Sequence, residues 1–172
     1  MRPLLSFFLL AAAVGSAGTD AAAQEASFVT AEQSGPGLCQ GALPQFAGTL
    51  RARPMALANE GTTTAFATCV LPGFRYARGN PNNLGGQIVG PHVYLLNSSG
   101  ASATVSCTFV RADGWTPHFV TRTAEMQPGW SGLVRVTETD FEVTQLNRIA
   151  ISCALPPQTA ILDIHYHTTD RT

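Results

Sequence analysis

The chain has 172 residues, the length of a single domain, and 45% of them are hydrophobic. Ten basic against eleven acidic residues leave a net charge of -1 at pH 7, which excludes the basic footprint that attracts nucleic acid or an anionic membrane surface. A chain of this size can bury a substantial apolar core.

The N-terminal segment has the pattern of a secretory signal. Arg2 supplies a positive charge, residues 4–14 form an uncharged apolar run, and small residues at 21–23 form a cleavage pattern. The apolar run is shorter than the roughly 20 residues that span a membrane, and no later stretch reaches that length. We expect residues 1–23 to be a signal peptide, cleaved near Ala23, and the protein to be secreted or periplasmic.

The chain after the signal divides into two predicted parts. Residues 24–44 are small, polar and rich in glycine and proline, which predicts an extended N-terminal arm. Residues 45–172 predict a single all-β domain, an antiparallel β-sandwich, because β-branched and aromatic runs alternate with turn signals. We expect about eight strands, at 49–57, 64–71, 92–97, 104–111, 118–123, 132–137, 148–155 and 160–168.

Turn residues at 97–100 predict that the chain folds into a hairpin over 93–110. Residues 72–91 contain many Gly, Asn and Pro residues and predict a long surface loop. In the last strand, alternation predicts that Leu162, Ile164 and Tyr166 point inward.

Four cysteines in an exported chain favour two disulfides over metal ligands. The alternation of flanking residues places Cys107 and Cys153 on inward faces of two strands, so we favour a bridge between them. Cys39 would then tie the N-terminal arm to Cys69. The pairing of Cys69 with Cys107 and of Cys39 with Cys153 is compatible with the same strands.

Four short segments carry a resemblance to known proteins. They are Thr68-Cys69-Val70-Leu71-Pro72, Val93-Tyr94-Leu95-Leu96-Asn97, Val105-Ser106-Cys107-Thr108 and Ile151-Ser152-Cys153-Ala154-Leu155-Pro156-Pro157. With them, residues 66–167 resemble a loose group of short exported bacterial β proteins that contain disulfides and have no known function. The resemblance implies a fold and an exported location, and it transfers no functional residue.

The last strand carries the best candidate metal ligands. Asp163, His165 and His167 are spaced two residues apart, so on a strand they share one face, and adjacent imidazoles with a carboxylate form a possible metal site. The competing interpretation is a solvated outer face.

Two tryptophans are candidate ligand contacts. Trp115 and Trp130 each follow a glycine in a turn, and with Tyr76 they would offer rings for stacking on sugars. The competing interpretation is that each indole ring folds back as a lid over the sandwich.

No catalytic signature accompanies these residues. The chain lacks a His-Glu-x-x-His motif, a phosphate loop and a dinucleotide fingerprint, and Gly129-Trp130-Ser131-Gly132-Leu133 lacks the last glycine of a nucleophile elbow. The sequence therefore predicts an exported, cofactor-free, non-catalytic protein with a structural, adhesion or interaction role in the bacterial envelope or outside the cell. The alternative is a carbohydrate-binding module, so the expected partners are an envelope protein or a glycan.

Overall fold

The computed structural model describes residues 27–71, 87–113, 116–143, 146 and 149–170. The predicted signal peptide, most of the predicted long loop, and the candidates Tyr76 and Trp115 lie outside these residues. Among the described residues, no helix has the length and apolarity needed to cross a membrane.

The described chain folds into eleven strands, one short α-helical turn (α1, Gly35–Leu38) and two 3-10 turns (Pro44–Phe46 and Glu138–Phe141). The strands are β1 (Ser27–Ser34), β2 (Cys39–Gly41), β3 (Leu50–Arg53), β4 (Ala56–Asn59), β5 (Ala65–Val70), β6 (Gln87–Asn97), β7 (Ala103–Asp113), β8 (Thr116–Met126), β9 (Ser131–Arg135), β10 (Ile149–Leu155) and β11 (Thr159–Asp170).

These strands form two antiparallel sheets, which confirms the predicted all-β sandwich. The six-stranded sheet has the order β3-β4-β11-β6-β9, with β1 also pairing with β11. The five-stranded sheet has the order β2-β5-β10-β7-β8. The core lies between them, because alternate residues of the central strands point inward and are buried, including Val105, Phe109, Ile151 and Leu155.

Both disulfides have the favoured pairing and lie in the five-stranded sheet. Cys39 is directly opposite Cys69 on β2 and β5, and Cys107 is directly opposite Cys153 on β7 and β10. The Cα atoms of each pair are 4.0 Å apart. All four cysteines are buried, so each bridge joins neighbouring strands on the core side.

The segment predicted as an N-terminal arm contributes to both sheets. β1 pairs with β11 along its whole length, whereas β2 pairs with β5. The α1 turn that links them begins at Gly35, where a Cβ atom would lie 2.5 Å from the carbonyl oxygen of Ile161. Only glycine allows the two backbones to approach so closely.

Two predicted elements are wrong. The stretch 49–57 is two strands, because the chain reverses at Pro54-Met55 and Arg53 pairs with Ala56. The predicted hairpin over 93–110 does not exist, because β6 and β7 lie in different sheets.

The β11 strand departs from strict alternation at one point. A shift in its pairing with β6 between Ile161 and Ile164 buries both of these residues and leaves Leu162 half-buried. The prediction that Leu162 points inward is therefore wrong, since a β-bulge resets which residues face the core.

Candidate functional site

Four connections between strands gather at one end of the sandwich. They are residues 60–64 (β4 to β5), 98–102 (β6 to β7), 127–130 (β8 to β9) and 156–158 (β10 to β11). Each connection crosses from one sheet to the other. We call these residues, with Asn59 and Asn97, the crossover end. Loops at the ends of sandwiches are where binding residues are concentrated, because the sheets hold them in place.

The side chain of Asn97 organises two of these connections. It is fully buried, and its Nδ2 donates to the carbonyl oxygens of Ala101, Met126 and Gln127 at 2.8, 3.1 and 3.2 Å. Its Oδ1 accepts from the backbone nitrogen of Ser99 at 3.0 Å. One amide side chain therefore satisfies backbone groups in both connections, which explains why a polar residue is buried here.

Asn59 plays the same part for the other two connections. It is also fully buried, and its Nδ2 donates to the carbonyl oxygens of Thr63 and Leu155, each at 2.8 Å. Its own carbonyl oxygen accepts from the nitrogen of Gln158 at 2.8 Å, and the Gln158 carbonyl accepts from the nitrogen of Ser98 at 2.9 Å. Hydrogen bonds thus link all four connections into one unit.

Trp130 stands at the end of this unit with its side chain in solvent. The residue is 67% exposed, so its indole does not fold back as a lid. Its backbone is fixed: the carbonyl oxygen accepts from the nitrogen of Asn97 at 3.0 Å, and its nitrogen donates to Gln127 at 3.1 Å. Gly129, with φ of +73°, makes the turn that precedes it.

A second set of polar side chains crosses the outer face of the six-stranded sheet. Glu32 on β1, His165 on β11, His92 on β6 and Arg135 on β9 lie opposite one another in that order. We call these four residues the imidazole row. Residues directly opposite on neighbouring strands point to the same face.

The imidazole of His165 is the centre of this row. It is 22% exposed, and its Nε2 lies 3.7 Å from Oε1 of Glu32. The rings of Tyr94 and His92 flank it, with centroids 4.7 and 5.3 Å away. A carboxylate oxygen of Asp163, two residues before His165, lies within 4.8 Å of both ligand atoms.

The structure therefore brings together two of the three predicted metal ligands with one that the sequence did not reveal. Asp163 and His165 are joined by Glu32, whereas His167 is outside this group of ligand atoms. A register shift in the pairing of β11 with β6 separates His165 from His167. Glu32 could not be recognised as a ligand from the sequence, because nothing in the sequence fixes the register of β1 against β11.

Asp140 has a structural role. The backbone nitrogen of Thr137 donates to Oδ2 of Asp140 at 2.7 Å. This bond, with smaller contributions from the Thr137 hydroxyl and the Arg122 guanidinium, lowers the pKa of the Asp140 carboxyl below 3.8. The carboxylate closes the first turn of the 3-10 helix and joins it to β8.

No family model matches the sequence, and no curated protein matches it. Among solved structures, TmCBM61 in complex with β-1,4-galactotriose aligns with 82% of this chain and 84% of that chain, at 9% identity and a TM-score of 0.31. At this TM-score the likeness supports neither a fold assignment nor a ligand for this chain.

Proposed function

We propose that this protein is an exported, non-catalytic protein that binds a glycan by stacking a sugar ring on Trp130 at the crossover end. The observation that carries the proposal is the combination at one residue of an exposed indole with a backbone held by the buried Asn97. Two disulfides support an exported location, because they persist in oxidising compartments.

An exposed tryptophan forgoes a large stabilisation. Burying the exposed part of an indole would contribute about 3 kcal/mol, given 150–250 Å² for the whole side chain and ~25 cal/mol per Å². A fixed backbone also lowers the entropy cost of binding, because the backbone of Trp130 is already ordered in the free protein. Both features are expected of a contact surface that is prepared for its ligand.

Two polar side chains of the crossover end suit a sugar. Gln127 and Ser102 are exposed, and the Ser102 hydroxyl donates to Oε1 of Gln127 at 3.1 Å. Amide and hydroxyl groups donate and accept, as sugar hydroxyls require. We propose that these groups orient the ring that stacks on the indole.

The proposal is tested by screening the purified protein against an array of oligosaccharides and polysaccharides, followed by calorimetric titration of each glycan that binds. Trp130→Ala should weaken binding by about 30-fold, the ~2 kcal/mol of a central aromatic contact. Phe119→Ala is the matched control, because Phe119 is equally exposed, at 64%, on β8. Absence of glycan binding at millimolar concentration, or equal effects of the two variants, contradicts the proposal.

The second candidate is a structural or adhesion role through a protein partner, favoured by one apolar row. Phe119, Val110, Ala150 and Val70 lie opposite one another across the outer face of the five-stranded sheet, and Phe119 and Val70 are exposed. Under this alternative, Phe119→Arg abolishes capture of an envelope protein, and Trp130→Ala leaves it intact.

A further inference from the structure

We infer that Glu32, Asp163 and His165 form a binding site for Zn²⁺ that joins β1 to β11. The site is on the outer face of the six-stranded sheet. The inference does not depend on glycan binding at Trp130, and either can fail without the other.

The backbone places the three ligands together. Glu32 is directly opposite His165 in the β1–β11 pair, and Asp163 is two residues before His165 on the same face. The ligand atoms all lie within 4.8 Å of one another, and Oε1 of Glu32 is 3.7 Å from Nε2 of His165. Two ligands of a tetrahedral zinc are about 3.4 Å apart, since each is ~2.0–2.2 Å from the metal. Small side-chain rotations therefore suffice to close the site.

The charge of the group also suits a divalent cation. Two carboxylates lie beside one imidazole, with Oε1 of Glu32 3.7 Å from Nε2 of His165. A divalent ion bound to two carboxylates and a neutral imidazole gives an electroneutral site. Arg135, at the far end of the imidazole row, is separated from the carboxylates by His92 and His165.

The ring of His165 is held in position. Tyr94 packs edge-on against it, at 67° between planes, and His92 lies beside it at 38°. Nδ1 of His92 donates to the carbonyl oxygen of Gly90 at 3.0 Å, which fixes the His92 ring in turn. A ligand that is oriented before the metal arrives loses little freedom on binding.

The donor set favours zinc over calcium and magnesium. An imidazole nitrogen with two carboxylate oxygens suits zinc, which uses four-coordinate sites of nitrogen and oxygen ligands. Ca²⁺ takes six to eight oxygen ligands and Mg²⁺ demands an octahedral set that usually retains several waters, so both fit this group poorly. A water would complete the zinc site, because Glu32 is 65% exposed and leaves one side open.

The test is calorimetric titration of the tag-free protein with ZnCl₂, with CaCl₂ and MgCl₂ run in parallel. We expect one zinc per chain and no comparable heat from calcium or magnesium. Glu32→Gln should weaken zinc binding at least tenfold, and Asp163→Asn and His165→Ala should do the same. Glu32→Gln is the sharpest variant, since the change is isosteric and lies at an exposed side chain.

Three controls separate this site from other zinc ligands on the chain. Glu125→Gln and His118→Ala make the same chemical changes at exposed positions of β8, and both should leave zinc affinity unchanged. His167→Ala should also leave it unchanged. The inference is overturned if wild-type protein binds no zinc, or if His167→Ala abolishes binding while Glu32→Gln does not.

The visible absorption spectrum of bound Co²⁺ is a second measurement, and it reports the coordination of the metal rather than the stability of the protein. Substitution of Co²⁺ for Zn²⁺ should give a visible spectrum of a four-coordinate site in the wild-type protein and in the three control variants. Loss of that spectrum in Glu32→Gln, with unaltered circular dichroism, would place Glu32 in the coordination sphere. An unaltered cobalt spectrum in Glu32→Gln contradicts the inference.

Discussion

The backbone nitrogen of Asn97 donates to the carbonyl oxygen of Trp130 at 3.0 Å, so the last residue of β6 holds the residue that precedes β9. The carbonyl oxygen of Asn97 accepts from the nitrogen of Gly129 at 2.8 Å. These backbone bonds, together with the buried side chain of Asn97, fix the turn that presents the indole. The stability of the protein and the position of its exposed ring therefore depend on the same asparagine.

We expect Asn97→Ala to lower the free energy of unfolding by about 2–4 kcal/mol, because it leaves the buried carbonyl group of Met126 and two partly buried carbonyl groups without a donor. Urea unfolding followed by circular dichroism measures the loss. Ser98→Ala is the neighbouring control, since Ser98 is exposed and its hydroxyl makes one bond, to Gln158. If the two variants are equally stable, the side chain of Asn97 does not organise the crossover end.

Gly35→Ala should destabilise the protein by roughly 1–3 kcal/mol, the usual cost of forcing an extra carbon into a packed position. The new Cβ would lie 2.5 Å from the carbonyl oxygen of Ile161, which is a backbone atom and cannot rotate away. Gly48→Ala is the matched control, because nothing lies within 4 Å of a Cβ there. Thermal unfolding should separate the two variants, and coincident transitions would contradict the close approach of α1 to β11.

The two disulfides should contribute comparable stability. In the chain-entropy model, the closed loops, with sequence separations of 30 and 46, are each worth about 3.5–4 kcal/mol. The double variants Cys39→Ala/Cys69→Ala and Cys107→Ala/Cys153→Ala should each lose that amount in guanidinium unfolding. Non-reducing peptide mapping of the wild-type protein should yield no fragment that links Cys69 with Cys107.

Asp140 should contribute stability that disappears in acid. Its pKa is lowered from 3.8 in the folded protein, so the ionised carboxylate stabilises the fold above the unfolded pKa, and the contribution is lost as pH falls through the folded pKa. The difference in urea midpoint between wild type and Asp140→Asn should be constant above pH 5 and shrink below about pH 4. A difference that is independent of pH would mean that the carboxylate charge is not involved.

Arg122→Gln tests which hydrogen bond or charge lowers the pKa of Asp140 most. The backbone nitrogen of Thr137 is the largest cause of the lowered Asp140 pKa, ahead of Arg122. Removing the guanidinium should therefore reduce the acid-dependent difference without abolishing it. If Arg122→Gln removes the pH dependence altogether, the ion pair dominates.

The sequence predicted those parts of the fold that depend on local alternation. Period-two alternation over residues 104–111 predicts that Val105, Cys107 and Phe109 form one core face, and the structure buries all three. Turn residues at 97–100 signalled a reversal but not the sheet that the next strand joins. The crossover involves contacts between distant residues, since Asn97 bonds to residues about thirty positions away.

The candidate sites divide in the same way. The exposure of Trp130 could not be inferred from its place in a turn, because an indole there can also fold back onto the sandwich. The group around His165 was visible in part, since Asp163 and His165 share a face on one strand. Glu32 joins them through pairing between distant segments, whose register is set by tertiary packing.

The confinement of both disulfides to one sheet has a mechanical consequence. A pull on Ser27 would peel β1 from β11 one pair at a time, since the pull begins at the open end of that pairing. Extension would stop at Cys39, because the disulfide to Cys69 then transmits the force to the five-stranded sheet. The segment from 27 to 39 would release roughly 40 Å of chain, at ~3.3–3.6 Å per residue. A molecule tethered through β1 would therefore extend by a fixed length and then resist further extension.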